Sequence, residues 1–95
     1  MKISVTGANG YLGQGIVSKL LDIGHEVIAA DFSCDNVDKR AQVITCNLFE
    51  MEHSYIEFGK PDIVVHLAWR DGFIHNSDAH ILDLPNHYKF VKSLL

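Results

Sequence analysis

VTGANGYLG, residues 5–13, places glycines at positions 7, 10 and 13, between a strand pattern and a helix pattern. Upstream, Lys2–Thr6 alternates Ile3 and Val5 with polar neighbours, the period-two signature of a short strand. Downstream, Leu12, Ile16, Val17, Leu20, Leu21 and Ile23 recur at three- and four-residue intervals up to Gly24, a good helix stop. HEVIAAD, His25–Asp31, then reads as a second strand. A 14-residue helix between two strands requires a parallel crossover, which is right-handed almost without exception. These nine residues are therefore the hinge of a βαβ unit.

Beyond Asp31 the alternation repeats. FSCDNVDKR (32–40) is polar and turn-rich and reads as a loop, and Ala41–Leu48 reads as a third strand centred on Val43 and Ile44. Residues 50–60 accommodate a short helix ending at Gly59. Pro61 then closes the connection to a fourth strand, Asp62–Ala68, whose near-continuous apolar run predicts burial on both faces. WRDGFIHNSD (69–78) reads as a loop. From Leu84 the chain turns helical, with Pro85 in the first turn and Tyr88, Val91, Leu94 and Leu95 along one apolar face. Repeated βα units define an α/β fold, a doubly wound parallel sheet that is incomplete at about four strands, in the order 3-2-1-4. The last helix meets no stop signal before Leu94-Leu95, so a continuing chain or the partner of a homodimer is expected to cover these leucines.

Ninety-five residues suit one domain, which buries about 60 to 65% of its unfolded surface. Eight basic against twelve acidic residues give a formal charge of −4, which opposes electrostatic capture of nucleic acid. No apolar run approaches the roughly 20 residues of a membrane helix. MKISVTG also lacks the apolar core of a secretory leader, so a soluble, cytoplasmic protein with no membrane partner is expected. Cys34 and Cys46 form no CxxC and are too few for a disulfide framework, which predicts two reduced thiols. His25, His53, His66, His75, His80 and His87 show no HxxxH or HExxH spacing, and no metal site is expected.

A strand that hands over to a helix across glycines exposes unpaired backbone N–H groups at the helix N-terminus, where the macrodipole attracts phosphate. Gly7 permits the tight turn, Gly10 removes the Cβ that would block a pyrophosphate, and Gly13 lets the helix lie close to the sheet. The spacing is GxxGxxG, not GxGxxG, and no GK[ST] follows, which excludes a P-loop. Asp31 stands at the end of the second strand, 18 residues after Gly13, where a carboxylate accepts hydrogen bonds from adenosine ribose hydroxyls. Its charge repels a 2′-phosphate, so NAD is expected rather than NADP. Lys39 and Arg40, in the following loop, are the residues that would favour NADP. The plainer alternatives are a turn built for packing alone and an Asp31 that merely closes its strand.

TGxxGxxG at Thr6–Gly13, Asp31, the pair Asn47-Leu48 after the third strand and DIVVHLAW (62–69) together resemble the NAD-dependent epimerase/dehydratase family. These are the extended short-chain dehydrogenases/reductases, which act largely on nucleotide sugars. The resemblance covers nearly the whole chain and corresponds to the first part of the family's NAD(P)-binding Rossmann domain. It implies that Thr6–Gly13, with Gly7, Asn9, Gly10, Tyr11, Leu12 and Gly13, hold the pyrophosphate. By the same resemblance Asp31 and the adjoining Phe32 take the adenosine ribose side, Asn47 and Leu48 the adenine edge, and Leu67, Ala68 and Trp69 the nicotinamide half. Asn47 stands where the family usually has Asp. Trp69 replaces a small residue and narrows the pocket, and His66 is implied to be structural.

YKFVK, Tyr88–Lys92, matches the family's catalytic YxxxK, but the family places that motif after a fifth strand whose end carries a Ser or Thr. Here it comes one βα unit early, so a chance match is expected, with Tyr88 packed and Lys92 solvated. No catalytic residue is assigned, and the chain alone is expected not to turn over. For the longer protein the resemblance implies oxidation of a sugar hydroxyl by NAD, followed by epimerisation, dehydration or reduction of a nucleotide sugar. An NADPH-dependent reductase on the same scaffold and a non-catalytic NAD(P)-sensing module are the alternative readings.

Overall fold

In the computed structural model, which describes residues 1–69 and 77–95, four parallel strands lie in the spatial order β3-β2-β1-β4. They are β1 (Lys2–Thr6), β2 (Glu26–Asp31), β3 (Gln42–Thr45) and β4 (Ile63–His66). Ile3 pairs with Val27 on one side and Ile63 on the other, which places β1 inside the sheet. The strand order and the α/β class are those expected from the alternation of patterns.

Period-two geometry sends alternate residues of β1 to opposite faces. Ile3 and Val5, with Val27 and Ala29 of β2, meet Val17 of helix α1 (Tyr11–Asp22) and form the first core. On the other face Ala30 joins Leu48, Phe58 and Phe90 in a second core. Phe58 is fully buried and meets Phe90 edge-on, with ring centroids 5.8 Å apart at 64°. Such a pair contributes about 0.5–1.5 kcal/mol beyond its area burial. Ser4, whose hydroxyl donates to the carbonyl of Phe58 at 3.2 Å, keeps this second layer in register with β1.

Helix α1 stops where the sequence predicts. Ile23 caps it, Gly24 takes φ +96°, and the N–H of Gly24 donates to the carbonyl of Leu21. The one-turn helix α2 (Ser54–Glu57) likewise ends before Gly59, at φ +79°. The helix expected from Leu84 is α4 (Leu84–Ser93), with Pro85 in its first turn, where a missing N–H costs nothing.

Three expectations are corrected. The third strand ends at Thr45 and not at Leu48, because Asn47 starts a 3₁₀ turn, Leu48–Glu50, whose Phe49 N–H it accepts at 3.1 Å. Strand β4 is not buried on both faces: it forms an edge of the sheet among the described residues, Ile63 is 42% exposed and Val64 to His66 are half-buried. In α4 the buried positions are His87 and Phe90, whereas Tyr88, Val91 and Leu95 are exposed. The aromatic underside of the sheet, at Phe58 and His66, draws in the rings of His87 and Phe90 and turns the predicted apolar stripe outward. A further one-turn helix, α3 (Ala79–Leu82), precedes α4. Most of the predicted loop 69–78 lies outside the described residues.

Candidate functional site

The C-terminal ends of β1, β2 and β4 and the start of α1 converge on one cleft of about 710 Å³. Gly7 and Gly10 form one end, Asp31 and Phe32 the next wall, Asn47 and Leu48 the far side, and Leu67, Ala68 and Trp69 the remaining side. Nine of the thirteen residues named from the sequence thus line one cleft, whereas Asn9, Tyr11, Leu12 and Gly13 are not part of its lining.

Gly7 takes φ +66°, and a Cβ there would lie 2.7 Å from the backbone of both Leu67 and Ala68. Its lack of a side chain is therefore demanded by the segment leaving β4. A Cβ on Gly13 would lie 2.2 Å from the carbonyl oxygen of Gly7 and 2.8 Å from Cα of Ala8. The close approach that Gly13 permits is thus to the glycine turn itself, not to the sheet. Gly10 differs from both: a Cβ there would meet only the Gly7 carbonyl oxygen, at 3.3 Å. Its remaining surroundings are the cleft.

Gly10 is the N-cap of α1, no side chain caps that end, and no acidic residue occupies its first turn. The positive end of a 12-residue helix is left to backbone N–H groups alone. Tyr11 and Leu12 supply two of them, while their side chains point away, 89% and 62% exposed.

Asp31 has a structural task that its sequence position did not announce. One carboxylate oxygen accepts the N–H of Asn9 at 3.0 Å and the other accepts that of Phe32 at 2.7 Å. The end of β2 thereby fixes the glycine turn. Asn9 extends the brace, since its Oδ1 accepts the N–H of Asn36 and its carbonyl accepts Nε2 of Gln14, each at 2.7 Å. It lies outside the cleft lining, so its visible role is to hold the turn.

Arg40 is committed elsewhere. Its guanidinium binds Asp38 and Asp22 at 2.8 Å each, and the hydrogen bond from Arg40 holds the Asp38 carboxyl well below the usual range. Asp22 ends α1, about 16 Å along the helix from Tyr11. Tyr88 and Lys92 also lie outside the cleft lining: Tyr88 is 69% exposed, not packed as expected, and Lys92 Nζ sits 5.8 Å from the centre of its ring. Phe49, Glu50, Asp83 and Asn86 line the cleft without having been singled out for it. The 3₁₀ turn and the start of α4 bring them there: the turn carries no periodic signal, and the apolar stripe that marked α4 does not include Asp83 or Asn86.

Cys34 and Cys46 are both free thiols, and no cluster of potential metal ligands occurs among the described residues. No described helix is long and apolar enough to cross a membrane.

An uncapped helix over a glycine turn, with a carboxylate ending the next strand, defines the class: the first half of a doubly wound domain of the dinucleotide-binding type. The chain belongs to the NAD dependent epimerase/dehydratase family, which it matches over residues 3–92. Among its relatives, the dTDP-6-deoxy-L-talose 4-dehydrogenase (NAD(+)) of Aggregatibacter actinomycetemcomitans is 33% identical over 99 residues, covering 99% of this chain and 37% of the relative. The UDP-glucose 4-epimerase of Thermus thermophilus, solved in complex with NAD, has a TM-score of 0.79 at 25% identity, covering 98% of this chain and 33% of that one. The UDP-glucose 4-epimerase of Thermotoga maritima, solved with UDP-glucose, has a TM-score of 0.67 at 28% identity, covering 75% and 25%. The chain thus spans 25 to 37% of the length of these relatives.

Proposed function

We propose that the chain is the NAD-binding portion of a nucleotide-sugar epimerase/dehydratase-like oxidoreductase. The observation that carries this reading is the open space at Gly10, beside the uncapped start of α1, in a cleft that also holds Asp31. The backbone N–H groups of Tyr11, Leu12 and Gly13 receive the diphosphate. Each Asp31 oxygen accepts one backbone N–H and keeps a second lone pair for a ribose hydroxyl. The Oδ1 of Asn47 accepts the N–H of Phe49, and its Nδ2 donors and the backbone of Leu48 are left for the adenine edge. Leu67, Ala68 and Trp69 orient the nicotinamide half and keep water from it. NAD, when bound, supplies the hydride acceptor for a sugar hydroxyl.

The relatives' names support NAD and nucleotide sugars as ligands of the whole protein, and the location proposed for it is the cytoplasm. The proton-transferring residues lie outside this chain, which by itself does not turn over. The pairing of Arg40 with Asp22 and Asp38 counts against the NADPH-dependent alternative.

Trp69 is the one tryptophan of the sequence and lines the cleft, so it reports occupancy directly. Titration with NADH is expected to quench its emission and to excite the nicotinamide by energy transfer. NADPH is expected to bind at least about tenfold more weakly, a difference of about 1.4 kcal/mol. Equal or tighter NADPH binding removes the role given to Asp31, and no response to either removes the cofactor reading.

A further inference from the structure

Thr6 ends β1 fully buried, and its hydroxyl oxygen accepts the N–H groups of Leu67 at 3.0 Å and Ala68 at 3.2 Å. A hydroxyl has two acceptor positions and one proton. With both acceptor positions filled, the proton is donated to Nδ1 of His66, 2.6 Å away. A neutral imidazole that accepts at Nδ1 carries its proton on Nε2. Nε2 of His66 therefore donates to Nδ1 of His87 at 2.9 Å. By the same rule His87 carries its own proton on Nε2, which is buried without a hydrogen-bond partner among the described residues. Every tautomer follows from the two backbone N–H groups at the head of the chain.

This directionality leaves no place for an added proton. On Nδ1 of His66 it would oppose the Thr6 hydroxyl, and on Nδ1 of His87 it would oppose the N–H of His66. Both ends of the chain touch the cleft. At the head, Thr6 holds the backbone of Leu67 and Ala68 that closes over Gly7. At the tail, the His87 ring is stacked on Trp69 at 4.6 Å and 21°, and Phe49 meets it edge-on at 4.9 Å and 87°. Trp69 and Phe49 both line the cleft.

We propose that Thr6, His66 and His87 are positioning residues that hold the Leu67–Trp69 wall in its binding geometry only while both imidazoles are neutral, so that dinucleotide affinity falls in acid. The proposal rests on the cofactor reading given above. Burial lowers the pKa of both rings, and the neighbouring His87 lowers that of His66 further. Asp83, one turn before His87, acts in the opposite sense on His87. Among the described residues, the other titratable groups near the pair are His80 of α3, whose ring lies 5.8 Å from that of Trp69, and Glu50, beside Phe49 on the 3₁₀ turn.

Two measurements test this. Nitrogen-15 NMR of the imidazoles at neutral pH is expected to show the Nε2–H tautomer for both His66 and His87, and an Nδ1–H tautomer at either overturns the hydrogen-bond chain whether or not a cofactor binds. NADH titrations across pH, with circular dichroism confirming the fold at each point, are expected to lose affinity toward about tenfold per pH unit at the acid end, the limit for one linked proton. Thr6→Val is expected to weaken binding at neutral pH and flatten that slope, and Thr6→Ser to restore both. A flat wild-type profile, or a Thr6→Val profile parallel to it, overturns the positioning role. No binding of NADH by the wild type at neutral pH overturns the cofactor reading and the positioning role together, while the tautomers still judge the hydrogen-bond chain alone.

Discussion

Gly13 and Gly15 sit two residues apart in α1, and replacing each with alanine should move stability in opposite directions. Alanine in a helix interior is favoured over glycine by about 0.8–1.0 kcal/mol. At Gly15 nothing lies within 4 Å of the new methyl, so Gly15→Ala should gain that full amount. At Gly13 the methyl would lie 2.2 Å from the Gly7 carbonyl oxygen, with Cα of Ala8 at 2.8 Å. Both neighbours are backbone, and relief requires the turn to retreat by about 1 Å. Overpacking costs about 1–3 kcal/mol, with rigid backbone at the upper end. Subtracting the helix gain of about 1 leaves Gly13→Ala destabilised by about 2 kcal/mol, so the two variants should differ by about 3. At this chain length 1 kcal/mol is about 4–8 °C in Tm, so thermal unfolding followed by circular dichroism resolves the difference easily. If Gly13→Ala unfolds at or above the wild-type temperature, the reasoning about the turn is wrong.

Asp31→Asn places an amide N–H₂ against the backbone donors of Asn9 and Phe32, and losing a charged acceptor there costs about 1.5–3 kcal/mol. Urea denaturation should show that loss, and the NADH titration should show weakened binding together with a smaller preference over NADPH; an unchanged midpoint would mean the brace is not formed in solution. Tyr88→Phe and Lys92→Met touch an exposed face of α4, so NADH affinity should stay within about twofold, and a larger loss would restore the YKFVK segment to the site.

Elements whose boundaries are set by local chemistry were legible in the sequence. Gly24 and Gly59 adopt the left-handed backbone their positions implied, and the crossover through α1 forced β1 and β2 to be parallel. What depended on contacts between distant residues was not legible. Hydropathy treats His87 as polar and Tyr88 as apolar, yet the ring that enters the core is the one that finds His66 and Trp69. The apolar run of β4 carried no sign that, among the described residues, one side of the strand would form a sheet edge. The hydrogen bonds of Thr6 span 60 to 62 residues and those of Asp31 to the turn span 22, so no local window contains either. The cleft could be assembled from motifs because each wall lies at the end of a strand, but its braces could not.

Two of the three motif glycines are explained by protein packing alone. Gly7 and Gly13 would be required in an empty turn, because backbone atoms occupy the space of their side chains. They diagnose the fold and say little about a ligand. Gly10 has a β-region backbone, φ −72° and ψ 168°, that alanine adopts without strain. Its methyl would have one neighbour, at 3.3 Å, which must give by a few tenths of an ångström. Alanine is a poorer N-cap than glycine, but it also removes about 0.4–1 kcal/mol of unfolded-state entropy, so the two effects nearly cancel. Gly10→Ala should therefore keep its unfolding midpoint while a methyl intrudes where the diphosphate would approach the N–H groups of Tyr11 and Leu12. NADH binding should fall by at least about tenfold, or 1.4 kcal/mol. If Gly10→Ala binds NADH as the wild type does, the ligand sits elsewhere and the motif serves the fold only.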